Sequence, residues 1–531
     1  MNNKVLIVIG LIIAASLLVL GVFYGAGSGA AKRVFELLES SEHVLMKEDS
    51  EKITSRELLA KYYRVFGYAP VWSEKAPQPD RFRVMLTEML NHADSLGLDR
   101  NDYHASFLNK YDSITAHLAD KEAESELVFA DAAVSFLFDV AYGKEIVTAY
   151  NGVKYSIDTA RILNAYNSLL TGGNWRGVLD TLEPAIQQYT VLKQRLNSMK
   201  AMLRYFPEGD TLTIADTEGG KIAAAIKLRF YGIITDSLAA DSNAGEQLKE
   251  ALVLFQKMMS FETTGKLDKK TTAALNESLS HRIAQVKSSL NYWRWTGRLD
   301  EREFILVNIP AARLQIVNED SATALSMKVI VGKPETKTPS FTAYMSKVIA
   351  YPYWTVPFSI ATKEMLPKIR KNISYLDANN LQVLDNKGKP VDPSTVNWGA
   401  LSTKYFPYTL RQSTGCDNAL GVLKFDINSP FSIYLHDTNA RQLFGRNNRF
   451  LSHGCIRVEK PFELAGYLLE NGLDSATTSK LNQCLKDEKP TDFKLRKKFP
   501  VLILYMTADI DPDGSLKFYD DVYGREEKVA T

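Results

Sequence analysis

The sequence predicts an α+β protein of several domains, with a helical N-terminal part and a mainly β C-terminal domain built on a mixed sheet. The chain has 531 residues, more than one hydrophobic core usually serves, so we expect roughly two to four domains. Before Asp300 the apolar residues recur at helical spacing. After Asp300, short β-branched runs are separated by Pro, Gly, Asn and Asp. This change of pattern marks the boundary between the two parts.

The composition is that of an ordinary globular protein. Hydrophobic residues make up 45% of the chain and charged residues 24%. The formal net charge is only +2 and no long block of Lys and Arg occurs. A general nucleic-acid binder, which needs an extended basic field, is therefore not predicted.

Residues 1–34 contain an apolar segment long enough to cross a bilayer. No charged residue occurs between Lys4 and Lys32, and the apolar run covers residues 5–24. A secretory signal peptide normally has a shorter apolar core, so we expect an uncleaved membrane anchor with the large C-terminal part outside. The small residues of GAGSGA leave a cleaved signal peptide as the alternative. Basic residues on both sides of the run leave its orientation open.

Two helical regions are expected between this segment and the β-domain. Residues 35–219 are predicted to form a helical scaffold, whose four histidines are scattered and expected at the surface or at helix caps. Residues 220–280 combine an amphipathic helix, a glycine-containing turn and a second helix capped near Asp268 or Lys269, which predicts a compact module. A connecting helix over residues 281–300 follows.

Residues 301–531 are predicted to form the β-domain. Residues 359–415 interrupt its strand pattern with helical and loop sequence, which indicates a lid. Near the C-terminus two apolar runs flank the turn DPDG, which predicts a final pair of strands.

The segment FSIYLHDT, residues 431–438, predicts a strand with one polar face. Alternate side chains of a strand point to the same side. Ile433 and Leu435 would then face a core together with Phe431, and Tyr434 would share the opposite face with the histidine at position 436. That polar face is suited to line a cleft.

The segment SHGCIRV, residues 452–458, contains Cys455, one of three cysteines. Four roles fit this thiol: nucleophile, metal ligand, half of a disulfide, or core filling. A nucleophilic thiol requires a base in hydrogen-bond reach, a lowered pKa and donors for an oxyanion. His436 can act as the base, and the N–H groups of Gly454 and Cys455 can form the oxyanion site. A helix beginning near Pro461 would add a modest positive potential.

A zinc site is the second interpretation. His436, Asp437, His453 and Cys455 could supply four ligands. However, a histidine and a cysteine separated by one glycine are not at the usual spacing of zinc ligands. We therefore expect neither a metal nor another cofactor.

The remaining cysteines leave a question open. With three cysteines, an oxidising compartment leaves one thiol unpaired or bonded to another chain, and a bridge between Cys416 and Cys484 is conceivable. Arg457, a charge in an apolar segment, fits either a substrate carboxylate or an ion pair with Glu459.

The pattern H-x15-S-H-G-C-I-R-V, from His436 to Val458, resembles the signature of the YkuD-type L,D-transpeptidase catalytic domain. Further segments, such as MKVIVGKPETKTPSF and PYWTVPFSIATKEMLPKI, are similar to the large multidomain YcbB-like L,D-transpeptidases of Gram-negative envelopes. The FQ and ALN landmarks within residues 220–280 resemble the small three-helix peptidoglycan-binding module. Scaffold, module and catalytic domain follow one another in the same order as in that group.

The resemblance implies a peptidoglycan L,D-transpeptidase that uses no cofactor. Cys455 would attack the carbonyl of the third residue of a donor tetrapeptide stem and release D-alanine. The acyl group would then pass to an amine of a second stem as a 3→3 cross-link, with His436 moving the protons. His453 would shape the oxyanion site or orient the loop, and Gly454 would contribute to catalysis through its backbone. The implied substrate contacts are Tyr434, Trp354, Ser452 and Arg457.

The resemblance also implies partners and a location. Stem peptides would be donor and acceptor, cell-wall synthases would be partners, and the N-terminal segment would hold the enzyme at the periplasmic face of a Gram-negative inner membrane. If that segment is cleaved, the protein would be free in the periplasm. Residues 359–415 would form the capping subdomain over the cleft, and carbapenems would acylate Cys455.

The sequence leaves the fate of the acyl group open. The same acyl-enzyme could pass to water, as in a cell-wall cysteine L,D-carboxypeptidase, or to a protein amine, as in attachment of a protein to the wall. A wall-binding scaffold with a decayed site is disfavoured because His436, Gly454 and Cys455 are all intact.

Overall fold

The structure is a computed structural model of the chain. It describes residues 29–39, 54–72, 76, 78–114, 122–144, 157–206, 214, 217–234, 244–299, 302–320, 322–415, 417–429, 431–472 and 488–526. The predicted anchor at residues 5–24, together with Cys416 and Cys484, lies outside these ranges. Within them, none of the helices combines the length and the apolar character that crossing a membrane requires.

The N-terminal region is helical, as predicted. Its central helix, Glu122–Tyr142, is buried on nearly all sides, as expected of a helix that is apolar all round. Of the helices given below, the other six up to Trp175–Leu182 pack around it on a core that includes Trp72 and Tyr166, whereas the buried residues of Gln187–Leu203 belong to the next core. The helices are α1 Gly29–Glu39, α2 Arg56–Val65, α3 Pro79–Asn91, α4 Ala105–Ile114, α5 Glu122–Tyr142, α6 Thr159–Leu170, α7 Trp175–Leu182 and α8 Gln187–Leu203.

One scaffold histidine departs from the expected surface position. His104 is buried, and its Nε2 lies 2.8 Å from the Asp131 carboxylate in α5. The same carboxylate accepts the N–H groups of Thr54 at 3.1 Å and of Ser55 at 2.7 Å, just before α2 begins. Several hydrogen-bond donors, among them His104, thus compensate the buried charge of Asp131, as a buried carboxylate requires.

A compact helical module follows. It consists of α9 Glu218–Phe230, α10 Ala244–Met258 and α11 Lys269–Leu275, and α12 Leu279–Trp295 leads from it to the β-domain. The Asp268 side chain caps α11 by accepting the Thr271 N–H at 2.8 Å, as predicted from its position. The core of the module is continuous with α8, α12 and one face of the β-domain, so these parts pack as one block.

The β-domain is built around a closed ring of eight strands. In order around the ring these are β1, β2, β3, β11, β9, β8, β4 and β12, and β12 pairs again with β1. The sheet is mixed, with parallel pairs β1–β12 and β9–β11. A further strand, β10, pairs in parallel with β3. Their bounds are β1 Phe304–Asn308, β2 Arg313–Val317, β3 Thr323–Gly332, β4 Phe341–Ala350, β8 Leu423–Ile427, β9 Leu435–His436, β10 Phe450–Ser452, β11 Ile456–Val458 and β12 Thr491–Leu504.

This ring surrounds an apolar core, and one helix covers it. Val307, Val329, Phe425 and Ile503 are fully buried there. Helix α16, Pro461–Gly472, packs against β12 through buried leucines. The terminal hairpin, β13 Ala508–Ile510 with β14 Leu516–Phe518, closes around the predicted DPDG turn. The α+β architecture with a mixed-sheet C-terminal domain is therefore confirmed.

The insertion between β4 and β8 has a core of its own. Short helices, α13 Phe358–Ile360, α14 Leu366–Lys371 and α15 Tyr375–Ala378, pack against a three-stranded sheet in the order β5–β7–β6. The expectation of helix and loop alone is thus incomplete. Strands of two to four residues are too short to produce a readable alternation. Their bounds are β5 Trp354–Thr355, β6 Leu381–Leu384 and β7 Thr409–Gln412.

Candidate active site

The loop between β10 and β11 carries the candidate nucleophile. β10 runs parallel to β3 whereas β11 runs antiparallel to the same strand, so the chain reverses within this loop. The Ser452 hydroxyl, which is buried, donates to the Cys455 carbonyl at 2.6 Å and accepts the Gly454 N–H at 3.1 Å. With its hydroxyl held by the loop's own backbone, Ser452 is placed to shape the loop rather than to reach outward.

Gly454 adopts a backbone conformation that only glycine adopts without strain. Its φ is +119°. Its carbonyl accepts the Thr338 hydroxyl at 2.8 Å, which fixes the orientation of the following peptide. Because the Gly454 N–H is already bonded to Ser452, the Cys455 N–H is the better placed of the two predicted oxyanion donors. Among the described residues it has no hydrogen-bond partner.

The Cys455 thiol is half-buried beside the segment before β9. Its Sγ lies 3.8 Å from the Ser432 carbonyl oxygen. Burial raises the pKa of the Cys455 thiol, although a hydrogen bond with Tyr434 and the charges of Lys424 and Arg457 act in the opposite direction. The expectation of a lowered thiol pKa is therefore wrong for this state, because desolvation outweighs the nearby charges.

The segment around His436 is less extended than predicted. Only Leu435 and His436 form strand β9, because Ser432 has φ +54° and breaks the extended backbone. As a result Phe431 is exposed rather than in the core, whereas Ile433 is buried as predicted.

His436 is buried and holds one defined tautomer. Its Nδ1 lies 2.5 Å from the Asp437 carbonyl oxygen, so Nδ1 carries the hydrogen and Nε2 keeps a free lone pair. Burial, with the nearby charge of Arg457, lowers the pKa of His436 to about 3. The imidazole is therefore neutral near pH 7 and able to accept a proton from a thiol.

Parallel pairing of β9 with β11 brings the base and the nucleophile onto neighbouring strands. His436 is paired with Arg457, and the Ile456 N–H donates to the Tyr434 carbonyl at 3.1 Å. Cys455 directly precedes Ile456. The strand and the loop that the sequence analysis interpreted as carrying base and nucleophile thus lie side by side.

Tyr434 connects several of the predicted residues. Its ring centroid is 5.7 Å from that of His436, and its phenol is near enough to Cys455 and Trp354 for both to affect its pKa. Burial raises the pKa of the Tyr434 phenol, so it remains a hydrogen-bond donor at neutral pH. Trp354 belongs to the insertion, so Tyr434 links the insertion to the thiol.

His453 lies on the other side of the loop and also contacts the insertion. Its Nε2 is 2.6 Å from Oε1 of Glu364, a residue of the π-helical turn Ala361–Met365. Both side chains are partly exposed, at 39% and 47%. This pair joins the catalytic loop directly to the insertion.

Arg457 brings a positive charge to the site. It is half-buried, and burial lowers the pKa of its guanidinium. Its Nε is buried and makes no hydrogen bond within the described part of the chain. A substrate carboxylate or carbonyl would supply the missing acceptor.

Two residues of the site were missed by the sequence analysis. Lys424 pairs in register with His436 and places its Nζ 4.2 Å from the centre of the Tyr434 ring. The alternation in β8, where Lys424 and Asp426 separate buried apolar residues, was a usable signal for a polar face. Glu364 had no such signal, because its contact with His453 spans 89 residues of sequence.

The zinc interpretation finds no ready ligand cluster. The Asp437 carboxylate is bound by Arg441 at 2.8 and 3.0 Å and by the Val422 N–H at 3.0 Å. Across the described ranges, no group of three or more His, Cys, Asp or Glu side chains is arranged to hold a metal ion.

Three protein-family models match parts of the chain. Residues 302–487 match the L,D-transpeptidase catalytic domain (YkuD), residues 57–196 match a scaffold domain, and residues 222–275 match a "Putative peptidoglycan binding domain".

A curated protein from Haemophilus influenzae, described as "Putative L,D-transpeptidase", is 37% identical over 243 residues. The alignment covers 46% of this chain and 48% of that relative, so the chain spans about half the length of the relative it matches.

Two solved structures also match, each at 13% identity. One is a cysteine-to-serine mutant of the Enterococcus faecium L,D-transpeptidase, covering 41% of this chain and 62% of that one, with a TM-score of 0.17. The other is the Ldtfm–avibactam carbamoyl enzyme, covering 59% and 98%, with a TM-score of 0.18. Scores this low carry no structural argument.

Proposed function

We propose that the protein forms 3→3 cross-links between peptidoglycan stem peptides. The premise is that residues 302–487 match the YkuD L,D-transpeptidase catalytic domain and residues 222–275 match a "Putative peptidoglycan binding domain". Cys455 is the proposed nucleophile and His436 the proposed base. The observation that supports the proposal is the parallel pairing of β9 with β11, which sets the strand of His436 beside the strand that follows Cys455. The bond of His436 Nδ1 to a carbonyl leaves Nε2 free to accept a proton.

In the first half-reaction the thiol proton passes to Nε2 of His436 as Sγ attacks the carbonyl carbon of the third donor residue. The pKa of the Cys455 thiol is raised and that of His436 is lowered, so both groups are neutral before the reaction begins. The proton is therefore transferred as Sγ attacks. The Cys455 N–H stabilises the developing oxyanion. The C–N bond then breaks, the leaving amine of D-alanine takes the proton from His436, and a thioester remains.

In the second half-reaction an amine of the acceptor stem attacks the thioester carbonyl. A C–N bond forms, the C–S bond breaks, and the amine proton returns through His436 to the Cys455 sulfur. One D-alanine is thereby released for each cross-link, and the thiol is regenerated without a cofactor.

The other predicted site residues have proposed roles that follow from their positions. Arg457 offers its unpartnered Nε to a substrate acceptor group, Tyr434 and Trp354 line the donor site, and Ser452 shapes the loop. The insertion, held by the His453–Glu364 pair, covers the site and excludes water.

The cellular setting is proposed from the same premise. We place the enzyme at the periplasmic face of the inner membrane, held by its N-terminal segment, where cell-wall synthases supply its substrate. Carbapenems would acylate the same thiol.

The test is an incubation of the full chain with defined tetrapeptide muropeptides, analysed by mass spectrometry. We expect free D-alanine and dimers joined between third residues, and loss of both products for Cys455→Ala. Dimer formation by the alanine variant would contradict the assignment of the nucleophile. Tripeptides without any dimer would instead identify a hydrolase.

A further inference from the structure

A second cleft, about 750 Å³ in volume, lies where the peptidoglycan-binding module meets the catalytic domain. Cys455, His436 and Tyr434 are not part of its lining, so it is distinct from the site described above. Its walls come from both domains. They include Met259 and Lys270 from the module, and Arg313, Lys328, Arg449 and Phe450 from the catalytic domain.

The two walls are joined by direct contacts. Lys270 Nζ lies 3.2 Å from the Asp520 carboxylate, and Lys517 Nζ donates to the Lys257 carbonyl at 2.8 Å. The module and the hairpin β13–β14 also share one apolar core. The cleft is therefore a preformed feature of the packed domains.

Two cations in the cleft lack a carboxylate partner among the described residues. Arg449 donates only to main-chain carbonyls, those of Arg446 at 3.1 Å and Ala311 at 3.2 Å, and its Nε is buried without a hydrogen-bond partner there. Lys328 Nζ reaches only the Phe444 carbonyl, at 3.4 Å. Glu459, which lines the same cleft, is near enough to Arg449 to favour its charge but forms no ion pair with it.

The carboxylates that line the cleft are engaged elsewhere. Asp511 is paired with Arg313, and Asp520 is paired with Lys270. Glu459 accepts a backbone N–H at 3.0 Å. The lining of the cleft carries five cationic and three anionic side chains, and this excess of positive charge suits a ligand that carries carboxylates.

Strand β10 leads from the cleft to the catalytic loop. Phe450 lines the cleft and begins β10, and Cys455 follows five residues later. Five extended residues span at most about 18 Å, so this wall of the cleft lies no farther than that from Cys455. An extended four-residue peptide spans about 14 Å, a length of the same order.

We propose that this cleft binds the acceptor stem peptide through its carboxylates, with Arg449 and Lys328 as the anchoring cations. The inference rests on the proposed function, because it assigns the second substrate of that reaction. The bound acceptor presents its amine to the thioester on Cys455, forming the C–N bond as the C–S bond breaks.

The test uses the full chain and tetrapeptide muropeptides and measures two quantities by mass spectrometry. These are the rate of thioester formation and the ratio of cross-linked dimer to hydrolysed tripeptide. Arg449→Gln and, separately, the exposed Lys328→Gln are each expected to lower that ratio about tenfold, well beyond any effect on thioester formation. An acceptor with amidated carboxylates should give the same low ratio with the unaltered chain.

The matched control is Arg446→Gln, an exposed arginine of the same loop that does not line the cleft. It should leave both quantities unchanged. An unchanged ratio in both cleft variants would overturn the proposal, as would a parallel fall in thioester formation, which would indicate a structural effect.

Failure of the proposed function gives a different result. If the unaltered chain forms no thioester, isothermal titration calorimetry of the muropeptide into the Cys455→Ala chain still tests whether the cleft binds the peptide. Binding that weakens about tenfold when Arg449→Gln is added supports the peptide site, and binding that does not change refutes it.

Discussion

The two histidines of the catalytic domain are held in opposite ways. His436 is buried in the strand ring and bonded to a main-chain carbonyl, so its tautomer is fixed by the fold. His453 is partly exposed and bonded to Glu364 of the insertion, so its position depends on a separate subdomain. The comparison teaches that the fold fixes one imidazole rigidly while the other depends on the insertion, which fits the roles proposed for them, base for His436 and contact with the insertion for His453.

The largest effect is expected from removing the buried base. His436→Asn should lower the rate of thioester formation by about 10² to 10⁴, because the proposed acceptor of the thiol proton is removed. Thioester formation measured by mass spectrometry provides the test. His281→Asn, a histidine paired with Glu526 at 3.0 Å far from the site, serves as the control. If the rate of thioester formation falls by less than tenfold, His436 is not the base, and the proposed difference in role between the two histidines is wrong.

A smaller effect is expected from altering the loop between them. Gly454→Ala places a side chain at φ +119° and should strain the loop by about 1–2 kcal/mol, displacing the Cys455 N–H and lowering activity about tenfold. Gly466→Ala is the control, since this glycine lies within helix α16, has no positive φ and has open space around it. Full activity of Gly454→Ala would show that the oxyanion donor lies elsewhere.

The insertion pair should give a still smaller effect. Glu364→Gln removes the charge that holds His453 and should raise KM for muropeptides severalfold with kcat nearly unchanged, because a partly exposed pair contributes only about 0.2–1 kcal/mol. The neighbouring exposed Lys363→Gln should change neither constant. A fall in kcat of the size found for His436 would place Glu364 in the chemistry instead.

The smallest effect concerns pH. Because the pKa of His436 is lowered to about 3, the imidazole stays neutral down to that range, and kcat/KM for thioester formation should show no inflection near pH 6.5. The unfolded chain binds a proton to this histidine below about pH 6.5. The contribution of His436 to folding stability is therefore present above pH 6.5 and is lost as the pH falls towards 3. His436→Asn should flatten the dependence of unfolding midpoints on pH in that window, and an unchanged slope would count against burial of the neutral ring.

Much of the fold could be predicted from the sequence, because periodicity reports burial directly. The helical half, the Asp268 cap, the change to strands after Asp300 and the DPDG hairpin are all found as predicted. The small sheet of the insertion was missed, since strands of two to four residues carry almost no periodic signal.

The site was predictable in its residues but not in its environment. The motif indicated Cys455 and His436, yet the direction of the thiol pKa shift was wrong, because the desolvation of Cys455 depends on packing across β8, β9 and β11. Lys424 and Glu364 reach the site from distant segments, and no local pattern marks such contacts.

The sequence by itself determined the order of the domains and the chemical groups available to them, because amphipathic spacing and a glycine-flanked thiol are local properties. Only the tertiary structure decided the positions and protonation states of those groups. The closed strand ring sets the tautomer of His436, and β10 links the catalytic loop to the cleft at the module. The physical reason is that burial, register and charge compensation arise between segments far apart in the chain.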